Sequence, residues 1–116
     1  MAIMFEVREY VEGGRSPFAL WFNRLDPVTA ARVDRRVRRM ESGNFGDAKA
    51  LKGGVYELRL TIGPGYRIYY GRDGKTLVIL LGGGDKRRQQ ADIANALKRW
   101  ERYTKERLNY GTDSGI

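Results

Sequence analysis

The segment that most constrains this chain is Thr76-Leu77-Val78-Ile79-Leu80-Leu81, an unbroken apolar run closed by Asp73-Gly74 before it and Gly82-Gly83-Gly84 after it. It is too short for a core helix and shows no alternation. It therefore predicts a strand buried on both faces, interior to a sheet and ended by the three glycines. The strands beside it are legible by contrast. Over Val55–Ile62, the residues Tyr56, Leu58, Leu60 and Ile62 share one face, and Glu57, Arg59 and Thr61 share the other. Over Tyr66–Tyr70, Tyr66, Ile68 and Tyr70 alternate with Arg67 and Tyr69. Gly63-Pro64-Gly65 is a turn between these two strands, and Asp73-Gly74 marks a tight hairpin before the apolar run.

Residues 3–10 read as a first strand, with Phe5 and Val7 alternating against Glu6 and Arg8. Ser16-Pro17 and Asp26-Pro27 each pair an N-cap residue with proline in the first helical turn. Behind them run the stripes Phe18, Trp21, Phe22, Leu25 and Ala30, Val33, Val37, Met40, which predict a helical hairpin ending at Gly43. Asn44–Gly54 reads as a loop anchored by Phe45 and Leu51. A last helix opens near Gln89, with Ile93, Leu97 and Trp100 as its apolar stripe. The order β-α-α-β-β-β-α predicts an α+β fold with a small, largely antiparallel sheet and helices packed on one face. One domain is expected over residues 1–106, followed by an unstructured tail over 107–116.

Composition narrows the chemistry. The 116 residues carry 22 basic and 14 acidic side chains, a formal charge of +8, which favours polyanionic partners. There is no cysteine and no histidine. That removes disulfides, the usual zinc ligands and the ordinary general base at neutral pH. No metal and no small-molecule cofactor is expected; the glycines form no phosphate-binding loop between a strand and a helix. No apolar run approaches the roughly 20 residues that a membrane span needs, and the N-terminal residues lack a signal-peptide pattern. A cytoplasmic protein without membrane contact is expected.

The order of elements, the Leu51-Lys52-Gly53 and Tyr56-Glu57-Leu58-Arg59 segments, the Gly65-Tyr66-Arg67-Ile68-Tyr69-Tyr70 strand and the Gly84-Asp85-Lys86-x-x-Gln89 segment resemble the RelE/ParE superfamily of bacterial toxins. The likeness is to its HigB-like branch, the phage-derived addiction-module killer proteins, and covers about residues 3–103. It implies a RelE-like fold and the toxin component of a type II toxin–antitoxin system. By this resemblance the chain is a ribosome-dependent mRNA endonuclease, in which a 2′-hydroxyl attacks its own phosphate. Its implied partners are the ribosome, mRNA and a small helix-turn-helix antitoxin. Two alternatives share the fold or the charge: a ParE-like inhibitor of DNA gyrase that cleaves nothing, and a non-catalytic nucleic-acid-binding module.

Carried onto this sequence, the resemblance assigns Arg67 to the scissile phosphate. Arginine suits that task because its planar guanidinium is always charged and binds phosphate through two parallel hydrogen bonds. The competing expectation is that Arg67 pairs with Glu57 across the sheet. Arg59 and Lys86 complete the expected catalytic group. Lys49, Lys52, Arg87, Arg88 and Gln89 are expected to hold RNA, and Tyr69 to stack on a base. Relatives that carry a lysine in the second strand differ from this chain, which has Glu57, and the acid–base pair is left unassigned. The arginines of the second helix (Arg32, Arg35, Arg36, Arg38 and Arg39) read as a solvated face, compatible with contact to ribosomal RNA.

Overall fold

The computed structural model describes residues 4–114 and contains a five-stranded mixed sheet with helices on both faces. The elements are β1 (Glu6–Glu9), α1 (Pro17–Phe22), α2 (Pro27–Glu41), β2 (Ala48–Ala50), β3 (Val55–Leu60), β4 (Tyr66–Asp73), β5 (Leu77–Gly84), a 3-10 turn (Lys86–Arg88) and α3 (Gln89–Ser114). The strand order is β1-β5-β4-β3-β2. β1 lies parallel to β5, and the other neighbours are antiparallel. The α+β class holds, and the expected elements appear in the expected order with one strand, β2, added. Residue 3, the expected start of the first strand, lies outside the described residues.

The helix starts form as the sequence predicts. Ser16 Oγ accepts from the Ala19 amide at 3.0 Å, and Asp26 Oδ2 accepts from the Thr29 amide at 3.1 Å, so each cap satisfies an amide that the helix leaves unpaired. The α1 and α2 stripes meet the tyrosine face of the sheet. Phe18, Val33 and Met40 are buried with Leu58, Leu60, Ile68, Tyr70, Val78 and Leu80.

Four differences from the sequence reading have physical causes. First, α3 does not share a face with the other helices. Its Ala96 and Trp100 cover the opposite face, where Tyr10, Val55, Tyr69, Ile79 and Leu81 are buried. A strand apolar on both sides needs cover on both sides, and α3 supplies the second layer. Gly71 permits the close approach, because a Cβ there would stand 2.3 Å from the Trp100 ring. Second, the loop before β3 contains the edge strand β2, whose Ala-Lys-Ala sequence has no β-branched or aromatic residue to announce it. Third, the glycines after the apolar run do not end the strand: Gly82, Gly83 and Gly84 pair with Tyr69, Ile68 and Arg67. Fourth, the backbone stays helical to Ser114, past the point where the sequence reading places a tail. No proline interrupts that stretch, and Lys105 pairs with Glu101 one turn away. Residues 115 and 116 lie outside the described residues.

Candidate nucleic-acid interface

α3 covers only part of its face of the sheet. Beyond its first turn, cross-strand register gathers the polar side chains. Arg59 stands directly opposite Arg67, Glu57 opposite Tyr69, and Lys49 opposite Glu57. Residues directly opposite in antiparallel strands project to the same side, so Lys49, Glu57, Arg59 and Arg67 share one surface.

Glu57 lies at the centre of this surface. It is 2% exposed, the one charged side chain among the described residues that is buried. Its Oε2 accepts from Gln89 Nε2 at 3.0 Å and lies 3.5 Å from Arg67 Nε. Arg67 also donates through Nη1 to the Gly65 carbonyl at 2.9 Å, and its side chain is 11% exposed. The cross-sheet pairing of Arg67 with Glu57 is therefore present. Buried ion pairs lose hydration and need accurate geometry to recover it. Here the carboxylate and the Gly65 carbonyl together hold the guanidinium in place. The Arg67 Nε makes no hydrogen bond of normal length.

Arg59 is half-exposed and pairs with Asp47 at 3.2 Å. Lys86 is exposed in the 3-10 turn. Its Cβ would lie 3.8 Å from a Cβ built on Gly65, and Arg67 Nη1 would lie 3.5 Å from the same point. The fold thus brings Arg59, Arg67 and Lys86 to one end of the sheet. Asp85 caps the 3-10 turn by accepting from the Arg87 amide at 2.9 Å, and its carboxylate is bound by the Arg87 side chain. That side-chain bond, followed by the backbone bond, holds the Asp85 carboxyl below the usual range. Arg88 is exposed beside Asp92.

Other expected residues are placed differently. Tyr69 is 1% exposed, in the core beneath α3, so it offers no ring face to a base. The alternation that puts it on the arginine side of β4 is real, but α3 covers that position. Its hydroxyl is buried without a hydrogen-bond partner. Burial first, and then the negative charge of Glu57, raise its pKa far above the ordinary phenol value. Lys52 lies in the β2–β3 hairpin turn, roughly 13 Å of strand rise from Arg59 and away from Lys86. Gln89 reaches the site through Glu57 and so steadies the carboxylate that holds Arg67.

The sequence reading offers Glu57 as a competing partner for Arg67 and as a departure from a basic pattern, and the structure places it at the centre of the arrangement. Sequence reasoning missed one member. Asp92, one turn into α3, is half-buried against Gly84, where a Cβ would fall 2.0 Å from its Oδ2. Burial raises its pKa above the ordinary carboxyl value, against the attraction of Arg88. A half-buried carboxyl in the first turn of a helix is visible in sequence only as a good helix-start residue. Among the described residues no group of acidic side chains could hold a metal, and no helix is long and apolar enough to cross a membrane.

Chemically, two guanidinium groups and an ammonium lie at one end of the sheet, one of the guanidinium groups held by a carboxylate, and groups of this type suit an anion.

Comparison with known proteins agrees with that reading of the fold. The chain is similar to the crystal structure of the toxin–antitoxin complex RelBE2 from Mycobacterium tuberculosis, with a TM-score of 0.53 at 19% identity, covering 74% of this chain and 100% of the other. It is 44% identical over 80 residues to an uncharacterized protein of Haemophilus influenzae, covering 68% of this chain and 81% of that protein. The sequence pattern of the family described as phage derived protein Gp49-like matches residues 20–103, and the chain belongs to that family.

Proposed function

We propose that this protein is the toxin of a toxin–antitoxin pair and that it cuts mRNA bound to the ribosome. The observation that carries the reading is Arg67, fixed by Glu57 and the Gly65 carbonyl, directly opposite Arg59 and beside Lys86. In the proposed reaction the RNA 2′-hydroxyl attacks the adjacent phosphorus, the bond to the 5′-oxygen breaks, and a 2′,3′-cyclic phosphate and a 5′-hydroxyl result. Negative charge grows on the phosphate oxygens in the transition state. Arg67 would meet it with no reorganisation, and electrostatic stabilisation of this kind is commonly the largest catalytic term. Arg59 and Lys86 would hold the neighbouring phosphates. The ribosome would orient the message, so that positioning replaces part of the acid–base chemistry that a chain without histidine lacks.

The antitoxin proposed as partner is a small helix-turn-helix protein. The likeness to the fold of a protein solved in a toxin–antitoxin complex supports a partner of that type.

The test is cleavage of a defined mRNA on programmed ribosomes, with fragment ends mapped. Wild-type protein should cut at the A-site codon only when ribosomes are present. Arg67→Ala should lose about a hundredfold or more in rate. Arg67→Lys keeps a charge but not the planar fork and should also be impaired. Intact mRNA from a protein that still arrests growth would overturn the reading and make DNA gyrase the next target to assay.

A further inference from the structure

Past the sheet-face site, β5 has a free edge. β1 pairs with β5 only as far as Leu80, while β5 runs on to Gly84. Beyond Leu80 the edge lies between α1 and α3. A Cβ on Gly83 would stand 2.2 Å from the Trp21 ring, and one on Gly84 would meet the Asp92 carboxylate. The glycines therefore let both walls close on the strand backbone. The result is a trench of two adjoining cavities, about 520 and 340 Å³, which share Trp21, Arg24, Gly83 and Asp92. The larger reaches Arg87 and Arg88, in the same turn as Lys86; the smaller reaches Arg15. The trench is thus continuous with the site already described.

Its chemistry is specific. Trp21 and Tyr66 are half-buried, their ring centroids 6.4 Å apart, and both line the larger cavity. Arg15, Arg24 and Arg88 form no ion pair among the described residues, whereas Asp85 is bound by Arg87 and Glu12 by Arg102. Unpaired guanidinium groups beside a half-exposed aromatic pair suit phosphates alternating with bases, since stacking tolerates any base and arginine follows the backbone.

A peptide strand added to the free edge is the competing occupant, and the edge is poorly built for it. Tyr69 pairs with Gly82 and Tyr70 with Leu80, leaving Leu81 in a bulge. Arg99 Nη1 already donates to the Leu81 carbonyl at 2.9 Å, taking an acceptor that an added strand would use.

We propose that this trench binds a short single-stranded nucleic-acid segment flanking the stretch held at Arg59 and Arg67, with a base against Trp21 and Tyr66 and phosphates at Arg24 and Arg15. The proposal rests on the RNA-cutting reading and extends the same site.

The test is fluorescence anisotropy with 2′-O-methyl RNA, which lacks the attacking hydroxyl and so reports binding alone. Two strands are compared, of about 4 and about 12 nucleotides, against wild type and the Arg15→Gln/Arg24→Gln double variant. Both substitutions fall on exposed side chains outside the sheet-face site. The double variant should bind the long strand about tenfold more weakly, with its salt slope reduced by about 1.4, the value for two phosphate contacts on a single strand. Its affinity for the short strand should be unchanged, and tryptophan fluorescence should be quenched by the long strand only. Wild-type affinity for the long strand in the double variant, or equal loss on both strands, would overturn the proposal. So would a double variant that keeps wild-type RNA affinity while losing, in the same assay, binding of a labelled acidic extended peptide. The ribosome cleavage assay is separate: failure there leaves this binding result standing, and failure here leaves cleavage standing.

Discussion

The two faces of the sheet solve different problems with the same strands. The face under α1 and α2 is apolar from end to end, with Leu58, Leu60, Ile68 and Tyr70 meeting Phe18, Val33 and Met40. The face under α3 changes character along its length. Val55, Ile79 and Leu81 meet Trp100 at one end; at the other, Glu57 is buried, Arg67 is mostly buried against it, and Arg59 is half-exposed. The first face supplies stability without chemistry. The second contributes less apolar burial and holds a charged group still. The difference lies in where α3 begins, because a helix starting earlier would bury the arginines outright.

The sharpest way to break this comparison is Glu57→Ala. It strips the mostly buried Arg67 of its carboxylate and should destabilise the fold by about 3–5 kcal/mol in urea unfolding, while Glu57→Leu/Arg67→Met should restore much of that loss. A cost for Glu57→Ala below about 1 kcal/mol would mean that Arg67 simply swings into water. Next in size is Gly71→Ala, which drives a methyl group into the Trp100 ring and should cost about 2 kcal/mol. Cleavage per folded molecule should be unchanged, because Gly71 is on the apolar half.

Alkaline titration gives a third test. Burial pushes the Tyr70 hydroxyl up to about 12. The folded state thus keeps a proton that the unfolded chain loses near pH 10, and stability must fall as pH rises from about 10 to about 12. Tyr70→Phe should flatten the fall, as followed by thermal melts across that range, and an identical slope would refute the assignment. Smallest in size and opposite in sign is Tyr69→Phe. It removes a buried hydroxyl with no partner and should stabilise by about 1 kcal/mol with RNA affinity unchanged. Weakened RNA binding in this variant would mean that the ring reaches a base after all.

The apolar face was legible in the sequence because period-two alternation records one-sided burial directly, and the caps at Ser16 and Asp26 were legible because they are local. Tyr69 was not. Its place beside Arg67 in the pattern predicts exposure, and only the docking of α3 buries it. Glu57 was legible only in part for a related reason: the alternation offers it as a partner for Arg67, but its burial depends on Gln89 arriving after the 3-10 turn. The same holds for Gly82–Gly84, whose run looks like an ending and is a floor, because nothing local shows that Trp21 and Asp92 close over it.

One feature of the sheet sets the timing of its own completion. β1 is the first strand made and its partner is the last, with Glu6 beside Leu77 in parallel register. Local hairpins can unite β2, β3, β4 and β5 in succession, since each neighbour follows closely in the chain. Joining β1 closes a loop that spans most of the molecule, and the entropy of that closure is recovered only by contacts formed at the end. During synthesis the N-terminal strand must therefore wait, unpaired, until β5 has emerged. The topology thus delays a complete sheet until β5 has been made.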